Sequence, residues 1–172
     1  MNSAKQKLSA GKLVLCMGLR QARSPDIALI AADCGFDAIY ADMEHSPLSL
    51  ETVSAICVGA LGHGVTPLVR PPSHAGDGIS RALDGGAQGV IVPHVNDAAQ
   101  ARAVVEHGRF PPLGHRSVMG PTPALGYRAL PLAEINQTLN AETLIVVMLE
   151  TPRGIANADD IAAVPGVDLL LI

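Results

Sequence analysis

The sequence predicts an α/β fold with parallel strands, and three observations lead to that prediction. Short apolar runs alternate with amphipathic segments along the 172 residues, which is typical of right-handed βαβ units. The runs are rich in Ala, Val, Leu and Ile and poor in aromatic residues, as in strands buried on both faces. They also recur at a nearly constant spacing of about 25 residues. The ends of the first four runs lie near Gly18, Asp42, Arg70 and His94.

Six such units are visible, and a Gly- and Pro-rich stretch over residues 108–131 separates the fourth from the fifth. A doubly wound sheet is one interpretation. The other is a (β/α)₈ TIM barrel of which this chain holds about the first six units, since eight units need roughly 230 to 260 residues. We favour the incomplete barrel, because the chain ends on an apolar run, residues 167–172, with nothing after it to cover it. A barrel opened after six strands exposes two hydrophobic edges, so we expect this sequence to be a fragment or the missing part to be supplied in another way. We expect one domain over residues 1–172, with a polar N-terminal extension at residues 1–12.

Capping residues mark the starts of the helices between these strands. Ser24, followed by Pro25, is expected to cap one helix, Ser49 a second and Asp97 a third. The helix after Ser49 should bury one face, formed by Val53, Ile56, Cys57 and Ala60. Residues 152–154 are expected to form a loop.

Composition and charge narrow the range of functions. A formal net charge of -4 without a basic run argues against nucleic acid as the partner. No apolar run approaches the roughly 20 residues that a membrane span needs, and residues 1–12 lack the apolar core of a secretory signal. The cysteines, Cys16, Cys34 and Cys57, lie in apolar surroundings and never form C-x-x-C, so we expect them to be buried and reduced. These features predict a cytoplasmic protein.

Polar residues follow the strands, and the carboxyl ends of parallel strands meet at one mouth of a barrel. The residues expected there are Asp42, Glu44, His45, Arg70, His94 and Glu150. Arg70 lies between an apolar run and two prolines, where it suits a substrate carboxylate or, alternatively, a salt bridge that closes the mouth. Glu150 ends an apolar strand and needs a partner, either a divalent metal ion or an arginine such as Arg70 or Arg20.

Acid–base chemistry at this mouth would fall to His45, oriented by Asp42, unless His45 is a structural histidine. Glu44 precedes His45 directly, so we expect at least one of the two to point away from the site. His94 is a less favoured candidate. Asp84 lies at a helix C-terminus, where the macrodipole disfavours an acid, so we expect it to pair with His45 or with an arginine of a neighbouring subunit.

Lysine placement separates two classes of carbonyl chemistry. The only lysines are Lys5, Lys7 and Lys12, all before the first strand, so none lies on a barrel strand to form a Schiff base. Carbonyl chemistry in this segment should instead use a metal ion as a Lewis acid. The sequence also lacks a dinucleotide fingerprint, a P-loop and a G-x-S-x-G motif.

Several motifs, in order along nearly the whole chain, resemble those of the HpcH/HpaI aldolase family. They are Gly35-Phe36-Asp37, Asp42-x-Glu44-His45, Leu68-Val69-Arg70-Pro71, Leu83-Asp84-x-Gly86-Ala87-Gln88, Val92-Pro93, Arg109-Phe110-Pro111-Pro112-x-Gly114-x-Arg116, Leu149-Glu150-Thr151 and Gly166-Val167-Asp168. The resemblance implies a (β/α)₈ barrel, class II metal dependence, pyruvate as donor or product, and a homo-oligomer such as a hexamer. Substrates would be of the 4-hydroxy-2-oxoheptanedioate or 2-keto-3-deoxy sugar acid type.

Carried over residue by residue, the resemblance implies that Glu150 is one ligand of a Mg²⁺, Mn²⁺ or Co²⁺ ion and that Arg70 binds the pyruvate moiety. His45, paired with Asp42, would be the acid/base of retro-aldol cleavage. Asp84 would support this histidine near a subunit boundary.

Two departures from the family pattern stand out. The second metal carboxylate of the family lies in a Gly-Pro-x-Asp-Leu loop, which we expect beyond Ile172. Met148 stands where family aldolases often carry glutamine. The predicted function is therefore a divalent-metal-dependent class II aldolase, a carbon–carbon lyase that cleaves a 4-hydroxy-2-oxo acid into pyruvate and an aldehyde. The alternatives are a barrel that serves only in assembly and a citrate-lyase-like enzyme acting on acyl-CoA esters.

Overall fold

The computed structural model describes residues 1–74 and 77–172 and shows strands alternating with helices. The strands are β1 (Cys16–Leu19), β2 (Ala38–Asp42), β3 (Thr66–Arg70), β4 (Gly89–Val92), β5 (Leu144–Met148) and β6 (Leu169–Leu171). The helices are α1 (Ser3–Ser9), α2 (Asp26–Asp33), α3 (Leu50–Gly62), α4 (Gly78–Asp84), α5 (Ala98–Gly108), α6 (Leu132–Glu142), α7 (Pro152–Ala156) and α8 (Ala158–Ala162). The irregular stretch between α5 and α6 contains a 3₁₀ turn, Pro123–Leu125.

The six strands form one parallel sheet in which they lie in chain order, from β1 to β6. A doubly wound sheet reverses its strand order at a switch point, so this topology excludes that interpretation. The predicted succession of six parallel βα units is confirmed. Closure of the sheet into an eight-stranded barrel stays a prediction.

The inner strands β2 to β5 are almost fully buried, whereas the edge strands β1 and β6 are largely exposed, and burial on both faces explains why the inner strands are continuous apolar runs in the sequence. On the helix side, Val69, Val90 and Val147 belong to a cluster that includes Ile79 of α4 and Ile161 of α8. A separate cluster of residues from α1 and the strands consists of Ala4, Ala38, Leu68, Ile91, Leu144 and Val146. The inner strands are therefore packed on both sides, which fixes the positions of their ends.

Helices α3 and α5 begin as the sequence predicts. Ser49 accepts a hydrogen bond from the backbone N–H of Thr52, and the four residues predicted for the inner face of α3 are all buried. Asp97 caps α5 in the same way, by accepting a hydrogen bond from the N–H of Gln100.

Two other local predictions are wrong. Helix α2 begins after Pro25 without a side-chain cap, so Ser24 does not serve as its N-cap. Residues 152–154 are helical rather than a loop, because Thr151 caps α7 by accepting a hydrogen bond from the backbone N–H of Gly154.

The N-terminal residues cover the end of the sheet at which the strands begin, which we call the floor. Asn2 is fully buried and caps α1, since its side-chain oxygen accepts a hydrogen bond from the N–H of Lys5. Its amide nitrogen donates to the carbonyl oxygens of Gln88, just before β4, and Glu142, just before β5. The predicted polar extension thus contains a helix. Its N-cap residue, Asn2, is hydrogen-bonded to the two segments that precede β4 and β5. The opposite end, where the strands finish, is called the mouth.

Cysteine burial follows the prediction only in part. Cys57 is buried in α3, and burial raises the pKa of its thiol to about 12. Cys16 and Cys34 are exposed, so the expectation of burial is wrong for these two, and all three are free thiols. Cys34 lies at the C-terminus of α2, while Cys16 lines an open cavity on the α1 side of the sheet.

The described part of the chain contains no helix with the length and apolarity required to cross a bilayer.

Candidate active site

Four strand ends bring polar side chains to the mouth. Asp42 and Arg70 are the last residues of β2 and β3, and they are partners in the register of this strand pair. His94 follows the end of β4 by two residues, as Glu150 follows the end of β5. Because the strands are parallel and in chain order, these four residues lie on the same edge of the sheet.

Asp42 is fully buried at the centre of a set of N–H donors. Arg70 donates from Nε to Oδ1 at 2.9 Å and from Nη2 to Oδ2 at 2.6 Å. The backbone N–H groups of Glu44 and His45 donate to Oδ1, and Arg20 Nε donates to Oδ2 at 3.1 Å. Burial alone would raise the pKa of Asp42, but the hydrogen bonds from Arg70 and the backbone outweigh it and lower the pKa to about 2. Asp42 is therefore ionised at neutral pH.

Arg70 is held at the mouth by two carboxylates. Its hydrogen bond to Asp42, assisted by the negative charges of Asp42 and Glu44, raises its pKa although burial opposes this. Its Nη1 atom lies 3.2 Å from Glu44 Oε2 and 3.9 Å from Met148 Sδ. The salt bridge considered from the sequence is present, with Asp42 as its main partner. Nη1 is the nitrogen turned away from Asp42.

Glu44 and His45 both face the mouth, so the expectation that one of them points away is wrong. The Glu44 side chain is 8% exposed, and its Oε2 atom lies 3.6 Å from His45 Nε2. Oε2 has no hydrogen bond to any described residue, since Arg70 approaches it at ion-pair distance without hydrogen-bond geometry. The alternation fails because β2 ends at Asp42, and the residues that follow leave the strand.

The predicted pairing of the His45 ring with Asp42 is not found. Asp42 contacts His45 through the backbone N–H, at 3.1 Å, and all of its side-chain donors are arginines. The ring of His45 is instead 58% exposed beside Glu44. Glu44, rather than Asp42, is therefore the carboxylate that can orient this imidazole.

His94 connects Glu44 with Glu150. Its ring Nε2 lies 2.7 Å from Glu44 Oε1, and its Nδ1 lies 3.3 Å from Glu150 Oε2. The backbone N–H of His94 donates to the same Glu150 oxygen at 3.0 Å. Glu150 thus has a histidine as its partner and forms no ion pair with either arginine that we considered for it. Only one feature of the sequence could have predicted that His94 contacts Glu150, namely that a histidine lies just after a strand.

Asp84 does not reach this group within the chain. It is the last residue of α4, which leads into β4, so it lies on the floor side. Its Oδ1 accepts a hydrogen bond from Arg116 Nη2 at 2.6 Å, and the Arg116 guanidinium lies 4.6 Å from the centre of the Phe110 ring. Asp84 has the arginine partner that its position predicts, but that arginine belongs to the same chain. Its predicted support of His45 is not found in this chain.

The carboxylates at the mouth are groups of the type that binds metal ions. Within the described ranges, no group of three or more His, Cys, Asp and Glu side chains is arranged to hold a metal ion. Glu150 nevertheless presents a carboxylate that is 31% exposed at a rigid strand end, and oxygen donors of this kind suit Mg²⁺ or Mn²⁺. The residues present therefore fit a divalent cation as one part of a site, with Glu150 as a donor and further donors required.

Residues 19–172 match the model of the family described as HpcH/HpaI aldolase/citrate lyase. The chain belongs to this family. The resemblance identified from the sequence motifs is therefore confirmed.

Two similar HpcH/HpaI relatives carry aldolase names. One, from Chaetomium globosum, is named 4-hydroxy-4-methyl-2-oxoglutarate aldolase cghB; it is 46% identical over 99% of this chain and 64% of its own length. A hydroxypyruvate/pyruvate aldolase from Pseudomonas aeruginosa is 36% identical over 100% of this chain and 63% of its own length.

Two crystal structures share the fold of this HpcH/HpaI chain. An HpcH/HpaI aldolase from Desulfitobacterium hafniense DCB-2 has a TM-score of 0.92 and 34% identity, over 99% of this chain and 65% of the other. The citrate synthase SbnG has a TM-score of 0.86 and 29% identity, over 99% of this chain and 64% of the other. The chain thus spans less than two thirds of the length of the four relatives compared.

Proposed function

We propose that the protein containing this chain is a divalent-metal-dependent aldolase that cleaves a 4-hydroxy-2-oxo acid into pyruvate and an aldehyde or ketone. The observation that carries the proposal is the group of side chains at the mouth, where Arg70, His45 and Glu150 all meet the Glu44–His94 pair. The name of the relative from Chaetomium globosum supports the substrate class, because 4-hydroxy-4-methyl-2-oxoglutarate is itself a branched 4-hydroxy-2-oxo acid.

Arg70 is the residue that we assign to the carboxylate of the 2-oxo acid. Asp42 holds its Nε and Nη2 atoms in place, so the guanidinium does not have to be ordered when a substrate binds. Nη1 remains directed towards the mouth, where Glu44 is its only ion-pair partner among the described residues. An incoming carboxylate would compete with Glu44 for this nitrogen.

His45 is the residue that we assign to proton transfer. In retro-aldol cleavage, the bond between C3 and C4 breaks, the C4 hydroxyl loses its proton, and the electron pair at C3 becomes the enolate of pyruvate. Protonation of C3 then gives pyruvate. The exposed ring of His45 can take the hydroxyl proton directly or through one water molecule, and Glu44 can steady the imidazolium that results.

Glu150 is the residue that we assign to the cation. When bound, a divalent ion would polarise the 2-keto oxygen and stabilise negative charge on the enolate. Asp42, Glu44 and Glu150 outnumber Arg70 and Arg20 at the mouth, so added positive charge would be stabilised there.

Three further features belong to the same proposal. The second metal carboxylate would come from outside the 172 residues. The thioether of Met148, which lies beside Arg70, would give the substrate an apolar contact where family aldolases often have a polar one. The protein would act as a homo-oligomer, since Leu13, Leu29 and Ile30 are exposed apolar side chains.

The experiment that tests this function follows pyruvate release from 4-hydroxy-4-methyl-2-oxoglutarate by the full-length protein. The protein is stripped with a chelator and then assayed with and without Mn²⁺, using lactate dehydrogenase to detect pyruvate. We expect two pyruvate molecules per cleavage, and release only when Mn²⁺ is restored.

Two other results would contradict the proposal. A folded protein that releases no pyruvate from this or any unbranched 4-hydroxy-2-oxo acid, with or without metal, would favour the assembly-only barrel. Activity confined to acyl-CoA esters would favour the citrate-lyase-like alternative.

A further inference from the structure

The backbone at His94 has an unusual conformation. Its φ angle is +59°, in the left-handed region that residues other than glycine rarely adopt, and Tyr127 is the only other such residue among those described. Residues held in this conformation at the end of a strand are concentrated at functional sites. The conformation directs both the backbone N–H and the ring Nδ1 of His94 towards one oxygen of Glu150.

The same side chain reaches a second carboxylate. Its Nε2 atom lies 2.7 Å from Oε1 of Glu44, which is 8% exposed and follows a different strand. His94 therefore spans the gap between the loops after β2 and β5, from its own place after β4. All of its contacts with Glu150 use Oε2, and all of its contacts with Glu44 use Oε1.

Glu44 supplies a second and independent observation. Its other oxygen, Oε2, is buried and makes no hydrogen bond to any residue that the structure describes. A buried carboxylate oxygen without a hydrogen bond is costly, and a cation or an ordered water molecule at the mouth would remove that cost. His94 thus joins the proposed cation ligand to a carboxylate of which one oxygen, Oε2, has no hydrogen-bond donor among the described residues.

We propose that His94 is a positioning residue, which fixes the carboxylate of Glu150 relative to Glu44 so that Glu150 presents its remaining oxygen to the cation. The inference rests on the proposed function, in which Glu150 is a cation ligand. Partners that orient a ligating side chain change metal affinity by about 10- to 100-fold when they are removed. His94 takes no part in the bond-breaking step itself.

The test measures Mn²⁺ affinity in the full-length protein, by electron paramagnetic resonance of free Mn²⁺ during a titration. His94→Gly removes the ring, while glycine keeps the left-handed backbone and its N–H donor at no steric cost. His94→Asn also tolerates this backbone and returns a short amide near the position of Nδ1. Exposed His107 at the end of α5 provides the matched control, as His107→Ala.

We expect His94→Gly to weaken Mn²⁺ binding by about 10-fold. We expect His94→Asn to recover part of this loss and His107→Ala to bind like the wild type. Thermal unfolding of each variant identifies a folded protein, and His94→Asn alone carries the test if the glycine variant does not fold.

Glu150→Gln distinguishes the failure of this inference from the failure of the function. If Glu150→Gln loses Mn²⁺ binding while folded His94 variants bind as tightly as the wild type, the positioning role is wrong and the cation site stands. If Glu150→Gln binds Mn²⁺ normally, both the positioning role and the assignment of Glu150 are wrong.

Discussion

The floor and the mouth each hold a buried arginine, and the two arginines are bonded in different ways. At the floor, Arg109 donates to the carbonyl oxygens of Asn140, Thr143 and Gly166 and to Asp168 Oδ2 at 2.6 Å. At the mouth, the hydrogen bonds of Arg70 to protein oxygens both go to Asp42.

The balance of charge also differs between the two ends. Asp168 is approached by two cations, Arg109 and Lys5, the latter at 2.9 Å. Arg70 is instead approached by two carboxylates. Burial lowers the pKa of Arg109 despite Asp168, whereas the hydrogen bond to Asp42 raises the pKa of Arg70. The floor thus joins chain segments around an acid, Asp168, that is paired with two cations, while the mouth retains surplus negative charge, which favours the cation proposed there. We expect substitutions at the floor to change stability and substitutions of the partly exposed mouth residues His45 and Glu150 to change catalysis.

The largest expected effect is at the floor. Arg109→Ala should lower the free energy of unfolding by about 3 to 5 kcal/mol, because it removes the buried cation that pairs with Asp168 Oδ2 and the side-chain donor to the carbonyl oxygens of Asn140 and Gly166. Urea unfolding followed by circular dichroism measures this change. Arg153→Ala is the matched control, since the exposed Arg153–Asp97 pair should contribute less than about 1 kcal/mol. Equal stability of the two variants would remove the proposed distinction between floor and mouth.

The second largest effect is expected on kcat, from a substitution at the mouth. His45→Gln should lower kcat by about 100-fold, a barrier increase of about 2.7 kcal/mol, because a general base is lost. Its stability should be unchanged, since the ring is 58% exposed. The measurement is steady-state pyruvate release, with His63→Gln as the control at an exposed site far from the mouth. A His45→Gln variant with wild-type kcat would show that the proton moves through another group.

A smaller effect is expected on the free energy of unfolding at low pH. The folded-state pKa of Asp42, about 2, lies below its ordinary value of 3.8, so the folded protein favours the carboxylate. The stabilisation is fully present above pH 4 and is lost as the pH falls towards 2, by about 2 kcal/mol. The free energy of unfolding, measured between pH 5 and 2 at the pH values where the protein folds, should therefore fall more steeply in the wild type than in Asp42→Asn. Parallel curves for the two proteins would contradict the assigned pKa.

The smallest effect on stability is expected at an exposed ion pair on the floor side. Lys7 Nζ lies 2.5 Å from Asp37 Oδ1, but the lysine side chain is 44% exposed. Lys7→Gln should therefore change the free energy of unfolding by less than about 1 kcal/mol. Addition of salt to the wild type should reproduce most of the change, because exposed charges are screened. A loss as large as that of Arg109→Ala would mean that exposure does not separate the two kinds of pair.

Sequence reasoning was most successful where local periodicity decides the structure. The strand positions, the buried face of α3 and the caps at Ser49 and Asp97 follow from patterns within a few residues. The parallel order of the strands follows from the regular spacing of the units. These features are set by the alternation of apolar and polar residues, which is visible in the chain itself.

The contacts at the mouth could not be predicted in the same way. Glu44 turns towards His45 because the strand has already ended, and strand alternation no longer applies. No local pattern predicts the left-handed backbone of His94, and the residues that it contacts, Glu44 and Glu150, are distant in the chain. Asp84 pairs with an arginine from the irregular stretch, whose path has no periodic signal.

The most direct measurement of the difference between mouth and floor is the rate of pyruvate release by Glu150→Gln, relative to the wild type, at saturating Mn²⁺. Exposed Glu134 on α6 gives the matched control, Glu134→Gln, which should retain the wild-type rate. We predict a folded Glu150→Gln protein whose rate is lower by about 100-fold. A folded Glu150→Gln variant that releases pyruvate at the rate of the wild type would contradict the assignment of the mouth as a metal-dependent active site.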